Sequence, residues 1–407
     1  MPIVKIERLD HQGRGIGKID GKIVFIPKTL LDEEVDVNLV LEKKKFFEGE
    51  IKEIVKSSDN RISPICPHFF DCGGCQFLHV NYENSLKFKQ NKVENIINKN
   101  LIKKVLINPI VASDEELFYR NKITLQVDKA IGYYKEKTNV IIPIEKCFIA
   151  DVKINKIYDI LKDNINMDNI NQIIIRSTKN TSQSMLIFKT CGKVDNNEII
   201  VLLKDLVQSI YINNELIYGE EKIIEQLLDY KFYISPTSFF QVNTKQAEKL
   251  YKIAINYADI SKDDMVLDLY CGTGTIGIIA SKYAKKVVGI ELNKEAINDA
   301  NLNKKLNKIS NIEFYAGDVG KILHKKQYKP DIVIVDPPRA GLDSLAIQEI
   351  VNIKPKKLVY ISCDLMTLAR DLNILSDYFD IIEITPVDLF SQTSHVESVV
   401  KLELKKY

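Results

Sequence analysis

Residues 265–277, MVLDLYCGTGTIG, leave this chain few folds to choose from. Apolar residues and one aspartate, Asp268, run into a glycine turn and out again through Thr275, Ile276 and Gly277 into Ile278-Ile279-Ala280. That is the pattern of a buried parallel strand breaking into a helix. Open α/β sheets bind adenine-containing cofactors at such junctions. Gly272, Gly274 and Gly277 also satisfy G-x-G-x-x-G, a weak signal when it stands alone. The next expected strand, residues 286–290, ends in Glu291, a carboxylate placed to accept hydrogen bonds from a ribose diol. Up to this point a nicotinamide site and an S-adenosylmethionine (SAM) site look alike.

The downstream strands separate the two. Residues 312–315 read as a third strand ending in Gly317-Asp318, and residues 331–335 as a fourth ending in Asp336-Pro337-Pro338-Arg339. A prolyl pair at a strand's carboxyl end forces the chain out of the sheet and, lacking amide hydrogens, leaves carbonyls facing the crevice. Methyltransferases acting on nucleobases use that arrangement and dehydrogenases have little use for it, so SAM is favoured over a nicotinamide.

At 407 residues the chain has room for two or three domains, each with its own core. Hydrophobic residues make up 45% without a long apolar run, which reads as a soluble protein with no membrane partner. The start MPIVKIERLD has neither signal nor transit character, so a cytoplasmic address is expected. A net charge of +2 neither demands nor excludes nucleic acid; any basic surface must be local. Seven cysteines in such a chain are expected as ligands, nucleophiles or small core residues rather than disulfides.

Residues 1–57 read as short strands rich in Val, Ile and Phe and punctuated by Gly13, Gly15, Gly17 and Gly21, which predicts a small closed barrel. Lys43-Lys44-Lys45 beside Phe46-Phe47 joins a basic run to aromatics, suiting either single-stranded nucleic acid or an ordinary solvated loop over core phenylalanines. Cys66, Cys72 and Cys75 follow in C-x5-C-x2-C spacing around a glycine pair, a strong metal pattern. Cys147 is the best candidate for the fourth thiolate. Four thiolates suit zinc or an iron–sulfur cluster equally, and a closed four-cysteine site implies a fold staple rather than radical chemistry. Residues 82–105 are helix-like, and residues 118–233 alternate strands with two short helices. Arg120, Lys122, Arg176 and Lys189 in that stretch suit an RNA groove or simply face water. Asn243 followed by Gln246 predicts a capped helix, and the cap aims Gln241 at the entrance of the cofactor sheet.

Cys363 follows the fifth strand of that sheet, beside the strand that ends in Asp336. Elsewhere a cysteine after a strand is a small buried hydrophobe, but here it enters the cofactor crevice. Pyrimidine C5 is a poor nucleophile until a thiolate adds to C6, and the methylated ring must then lose its C5 proton before the thiolate can leave. Glu397 in His395-Val396-Glu397 offers the base, unless it is merely the outward residue of an alternating strand.

The whole set resembles the SAM-dependent RNA 5-methyluridine methyltransferases of the bacterial rRNA/tRNA type. The matching pieces are the glycine-rich barrel, CPHFFDCGGC with Cys147, YRNK at 119–122, SFFQVN, DLYCGTGTIG, VDPPRAG, VYISCDLMTLARDL and HVESVV. The resemblance implies an α/β architecture in three parts: a TRAM or OB-like RNA-binding barrel (1–57), a central α+β domain (58–235), and a doubly wound SAM methyltransferase sheet (236–407). It implies Cys363 as nucleophile and Glu397 as base, with Gln241, Tyr270, Glu291, Asp318 and Asp336 around SAM. It makes Cys66, Cys72, Cys75 and Cys147 ligands of a 4Fe–4S cluster. The expected substrate is RNA, 23S rRNA before tRNA because of the barrel, and the expected state is a monomer. Cytosine as the base and a catalytically silent RNA-binding or ribosome-assembly factor are the alternatives. One departure stands out: Asp364-Leu365 replaces the family's usual Asn-Pro, which loosens the turn that presents the thiol.

Overall fold

The computed structural model describes residues 2–406. Residues 3–56 form a six-stranded sheet ordered Ile3–Lys5, Glu34–Glu42, Phe46–Lys56, Lys22–Ile26, Gly15–Ile19, Arg8–Leu9. Its strands curl around Val4, Ile6, Val24, Ile26, Val35 and Val37. A glycine is required where the strand Gly15–Ile19 crosses the first strand: a Cβ on Gly17 would fall 2.3 Å from Val4 Cγ1 and 2.5 Å from the Lys5 carbonyl. Residues 43–45 are the exposed hairpin tip, with the Lys22 ammonium over the Phe47 ring beside it.

The central sheet has seven strands, ordered Ile141–Pro143, Ile131–Tyr134, Lys122–Val127, Ile170–Ser177, Ser184–Thr190, Ser209–Ile212, Glu215–Gly219. Helix Val152–Asn164 buries Ile154, Ile157, Tyr158 and Leu161 in the same core as that sheet's Leu125, Ile173 and Phe188. A hairpin, Ile223–Leu227 with Tyr230–Ile234, leads toward the C-terminal sheet. Its backbone donates from Tyr233 and Lys231 to the side chains of Asn303 and Asn307.

The C-terminal sheet has eight strands in the order Ile312–Ala316, Lys286–Glu291, Met265–Leu269, Ile332–Val335, Lys357–Ser362, Glu397–Leu404, Phe379–Val387, Leu106–Ile107. The first five are parallel, and Glu397–Leu404 runs antiparallel to both neighbours. The apolar runs of the inner strands Met265–Leu269, Lys286–Glu291, Ile332–Val335 and Lys357–Ser362 follow from burial on both faces. Apolar layers lie above and below, one containing Leu250, Ala254, Ile278 and Val359, the other Leu267, Val333, Leu358 and Leu368. Helix Tyr82–Asn100 puts Val93 and Ile97 into the second layer, and Leu106–Ile107 pairs with Phe379–Val387 at the sheet's edge. A segment lying between the cysteines and the central sheet in sequence is thus built onto the C-terminal layer.

Candidate active site

Strand order and register bring three side chains together. Val335 pairs with Tyr360, and Ser362 pairs with Ser398. One residue further along each strand, Asp336, Cys363 and Glu397 reach the same end of three adjacent strands. Glu397 is buried, at 5% exposure, so it is not the outward member of an alternating strand. Burial, then nearby Asp336, pushes its carboxyl up to about 8, against a smaller opposing effect from Arg339. Burial, then Glu397 and Asp336, pushes the Cys363 thiol up to about 11, and Arg339 is the cation that pulls it back. Asp336 rises to about 7 through burial. Burial thus favours the neutral forms of all three groups.

The turn after Cys363 shows how the Asp-Leu departure is accommodated. Asp364 caps helix Leu365–Leu375, its carboxylate accepting from the amides of Met366 and Thr367 at 3.0 Å each. Leu365 packs into the core instead of supplying a proline's rigidity. The cap fixes the start of the helix by side-chain hydrogen bonds where the family's usual proline would do so by its ring.

The glycine turn follows strand Met265–Leu269. Tyr270 and Gly272 have positive φ, and Gly274 starts helix Thr275–Ser281 at φ 81°, where a Cβ would lie 2.5 Å from the Phe314 ring. A Cβ at Gly272 would meet nothing within 4 Å, so the backbone there faces open space. Glu291 is pinned at the end of its strand, accepting from the amides of Gly272 at 3.2 Å and Asn293 at 2.9 Å. Asp318 caps helix Val319–Lys326, and the Tyr270 hydroxyl donates to Asp343 at 3.3 Å. Asp268 holds the Gly277 amide at 2.7 Å, while its other oxygen is buried without a partner, and burial raises it to about 8. Asn243 caps helix Thr244–Ala258 by accepting from Gln246 N–H, but the Gln246 side chain reaches the Asp388 carbonyl, so only half of a capping box forms. The Gln241 carbonyl accepts from Asn121 at 3.0 Å.

Cys66, Cys72, Cys75 and Cys147 line one cavity of about 440 Å³, together with Arg120, Lys122 and Lys146. Burial, and then the other cysteines, raise the Cys75 thiol well above its ordinary range. Asn155 grips the Cys147 backbone at both its amide and its carbonyl. Buried Lys28, from the barrel, donates to the carbonyls of Phe70 and Cys72. His79, next after these cysteines in sequence, is wholly buried against Phe69 and is not part of the cavity wall. Among the described residues no three His, Cys, Asp or Glu side chains stand as a single-ion site. Of the basic residues suggested by sequence, Lys189 binds Asn213 and Asn214 on the far side of the central sheet, and Arg176 is buried with its guanidinium on the Ser238 carbonyl. Arg339 stands within VDPPRAG, but sequence alone gave it no role because only the fold sets it against Cys363.

The parallel sheet, the glycine turn and the residues at its strand ends define a methyltransferase domain, and a model described by that name matches residues 260–389. A TRAM domain model matches residues 3–52. The chain belongs to the tRNA (uracil-5-)-methyltransferase family, whose model matches residues 81–317. An uncharacterized RNA methyltransferase of Clostridium tetani is 36% identical, covering 97% of this chain and 94% of its own. One from Staphylococcus aureus is 35% identical over 98% and 96%. The solved tRNA (uracil-54, C5)-methyltransferase of Pyrococcus abyssi, in complex with S-adenosyl-L-homocysteine, superposes with a TM-score of 0.82 at 29% identity, over 98% of this chain and 99% of that one. Among the described residues no helix is long and apolar enough to cross a membrane.

Proposed function

We propose that the chain transfers a methyl group from SAM to C5 of an RNA uridine through a covalent bond between Cys363 and C6, resolved by Glu397. The observation that carries this reading is the register that brings Asp336, Cys363 and Glu397 to one end of three neighbouring strands. Gln241, Tyr270, Glu291 and Asp336, with Asp318 beside them, are the proposed SAM contacts. The open face of Gly272 and the pinned Glu291 carboxylate fit an adenosine there. When bound, SAM supplies an electrophilic methyl on a sulfonium.

Buried chemistry of this kind needs the uridine out of its stack. The Cys363 thiol loses its proton to water, Sγ bonds to C6, and the C5=C6 pair moves into an enolate at C4. C5 then takes the methyl group as the enolate returns to the C4 carbonyl; the S–CH3 bond breaks and its electron pair stays on the donor sulfur, which leaves as a thioether. The Glu397 carboxylate removes the remaining C5 proton, the double bond re-forms, and the C6–S bond breaks to return the thiolate. Arg339 favours the charged sulfur, and placing the three groups together supplies much of the rate.

The four cysteines are proposed to hold a 4Fe–4S cluster. What supports this reading is the donor set: all four cysteines line one cavity, and cysteine thiolates are the ligands of such clusters. For the target, 23S rRNA is the first reading. A tRNA uridine is the second, and it has specific support: the Pyrococcus tRNA enzyme matches this chain over its full length, barrel region included, so the barrel does not separate the two.

RNA carrying 5-fluorouridine at the target tests the mechanism, because fluorine cannot leave as a proton would and the adduct persists. Wild type should give a denaturation-resistant complex and Cys363→Ala none; an adduct in the variant would reassign the nucleophile. Mass mapping of rRNA and tRNA from cells lacking the chain should show one class losing 5-methyluridine, which decides the target.

A further inference from the structure

The loop just before Glu397 is held from outside almost carbonyl by carbonyl. The Asp388 carbonyl accepts from Gln246 Nε2 at 3.0 Å, Leu389 from Asn243 Nδ2 at 3.2 Å, and Phe390 from Lys89 Nζ at 3.0 Å. Ser391 accepts from the Tyr119 hydroxyl at 2.8 Å, and Ser394 from Lys92 Nζ at 2.7 Å. Gln392, in the left-handed region at φ 66°, accepts from the backbone amides of Gln76 at 2.8 Å and Phe77 at 3.1 Å. The Gln76 side chain completes the clamp: its Oε1 accepts from the Ser394 amide at 3.3 Å, and its Nε2 donates back to the Gly73 carbonyl at 3.2 Å. Gln76 is the residue directly after Cys75, and Gly73 lies between Cys72 and Cys75. One side chain therefore bridges the cysteine loop and the segment that enters Glu397.

We infer that Gln76 is a positioning residue for the base: the cysteine loop sets the place of Glu397 through the Gln76–Ser394 bridge, and so governs adduct resolution rather than RNA binding. The inference rests on the reading of Glu397 as the residue that removes the C5 proton. Ser394 is three residues from Glu397, and a displaced amide there turns the start of the strand that carries the carboxylate. Misplacement of a reacting group by about 1 Å can cost up to about a hundredfold in rate. The backbone bonds from Gln76 and Phe77 survive any side-chain change, so the effect of one substitution should be partial.

The test compares Gln76→Leu with Gln76→Glu, the latter keeping an acceptor for the Ser394 amide. Gln76→Leu should lower kcat about tenfold, within that range, and should accumulate covalent adduct on natural RNA at steady state, so that KM for RNA falls with kcat and kcat/KM is nearly unchanged. Gln76→Glu keeps the acceptor for the Ser394 amide but loses the donor to the Gly73 carbonyl, and should lose clearly less kcat than Gln76→Leu. The inference is overturned if Gln76→Leu keeps its kcat, if its loss lies in a raised KM, or if both variants fall alike. Glu397→Gln is run alongside. If it shows normal turnover, the base assignment falls and this inference with it; if it accumulates adduct while Gln76→Leu does not, only the inference falls.

Discussion

At the scale of single residues the active end of the sheet is set by desolvation. Burial pushes the Glu397 carboxyl up to about 8, which favours its neutral form near pH 7, and in the proposed mechanism only its carboxylate would take the C5 proton. Methyl transfer should therefore rise as pH increases through about 8, and Cys363, raised to about 11, adds a second rising dependence above it. A rate profile from pH 6 to 9.5 on saturating RNA checks this; a profile already flat at pH 6.5 would remove the buried acid from the rate. The same shift has a stability consequence. A carboxyl held protonated in the fold but ionised in the unfolded chain stabilises below its unfolded value, and that contribution is lost as pH rises through about 8. Glu397→Gln should accordingly flatten the fall in Tm between pH 5 and 8. The placement of Cys363 and Glu397 at neighbouring strand ends was legible in sequence because each sits in a short run beside a strand end. Arg339 was not, because its effect on the thiol depends on three strands lying side by side.

Elements show where sequence reading fails for a physical reason. Periodicity in residues 82–105 marks Leu86, Val93, Ile96, Ile97 and Leu101, yet the fully buried stripe of the helix runs through Ser85, Lys89, Val93 and Ile97. Lys89 looks like part of a solvated face because its partner, Asp388, lies 299 residues away. Both side chains are wholly buried, and Tyr82 and Ser391 hydroxyls complete the carboxylate's shell at 2.6 and 2.9 Å. Removing one member strands the other charge, which costs about 3–5 kcal/mol. Lys89→Met should lower unfolding stability by about that amount in urea titrations, and Lys89→Met with Asp388→Leu should recover part of it. If the single variant lost less than about 1 kcal/mol, the pair would be solvated in solution, as exposed pairs are. By contrast the strands Met265–Leu269, Lys286–Glu291, Ile332–Val335 and Lys357–Ser362 were legible to within a residue or two, since burial on both faces writes them as apolar runs, whereas Phe379–Val387 and Leu106–Ile107 were not foreseen.

For the whole molecule, the cysteine cavity joins parts that share no local pattern. Cys66, Cys72 and Cys75 come from the segment after the barrel, Cys147 from a turn of the central sheet, and Lys28 of the barrel fastens the first loop while also meeting Glu136 at 3.2 Å. The Arg61 guanidinium, close to the same junction, grips buried Glu33 and the Lys28 carbonyl. Sequence spacing marked the thiols as a group but could not show that they converge where the barrel's edge meets the central sheet, because convergence of separated segments leaves no periodic trace. A bound cluster would add its binding free energy to folding, since the unfolded chain offers no formed site. Protein purified without oxygen should contain iron and acid-labile sulfide in equal amounts and absorb broadly in the visible. Cys147→Ser should lose that absorbance and melt at a lower temperature, while Cys191→Ser, an exposed thiol outside the cavity, should keep both. Zinc in place of iron in the wild-type protein would overturn the cluster while leaving the staple intact. A Cys147→Ser variant that melts like wild type would show instead that the cavity's hydrogen bonds, led by Asn155 and Lys28, hold these segments together without it.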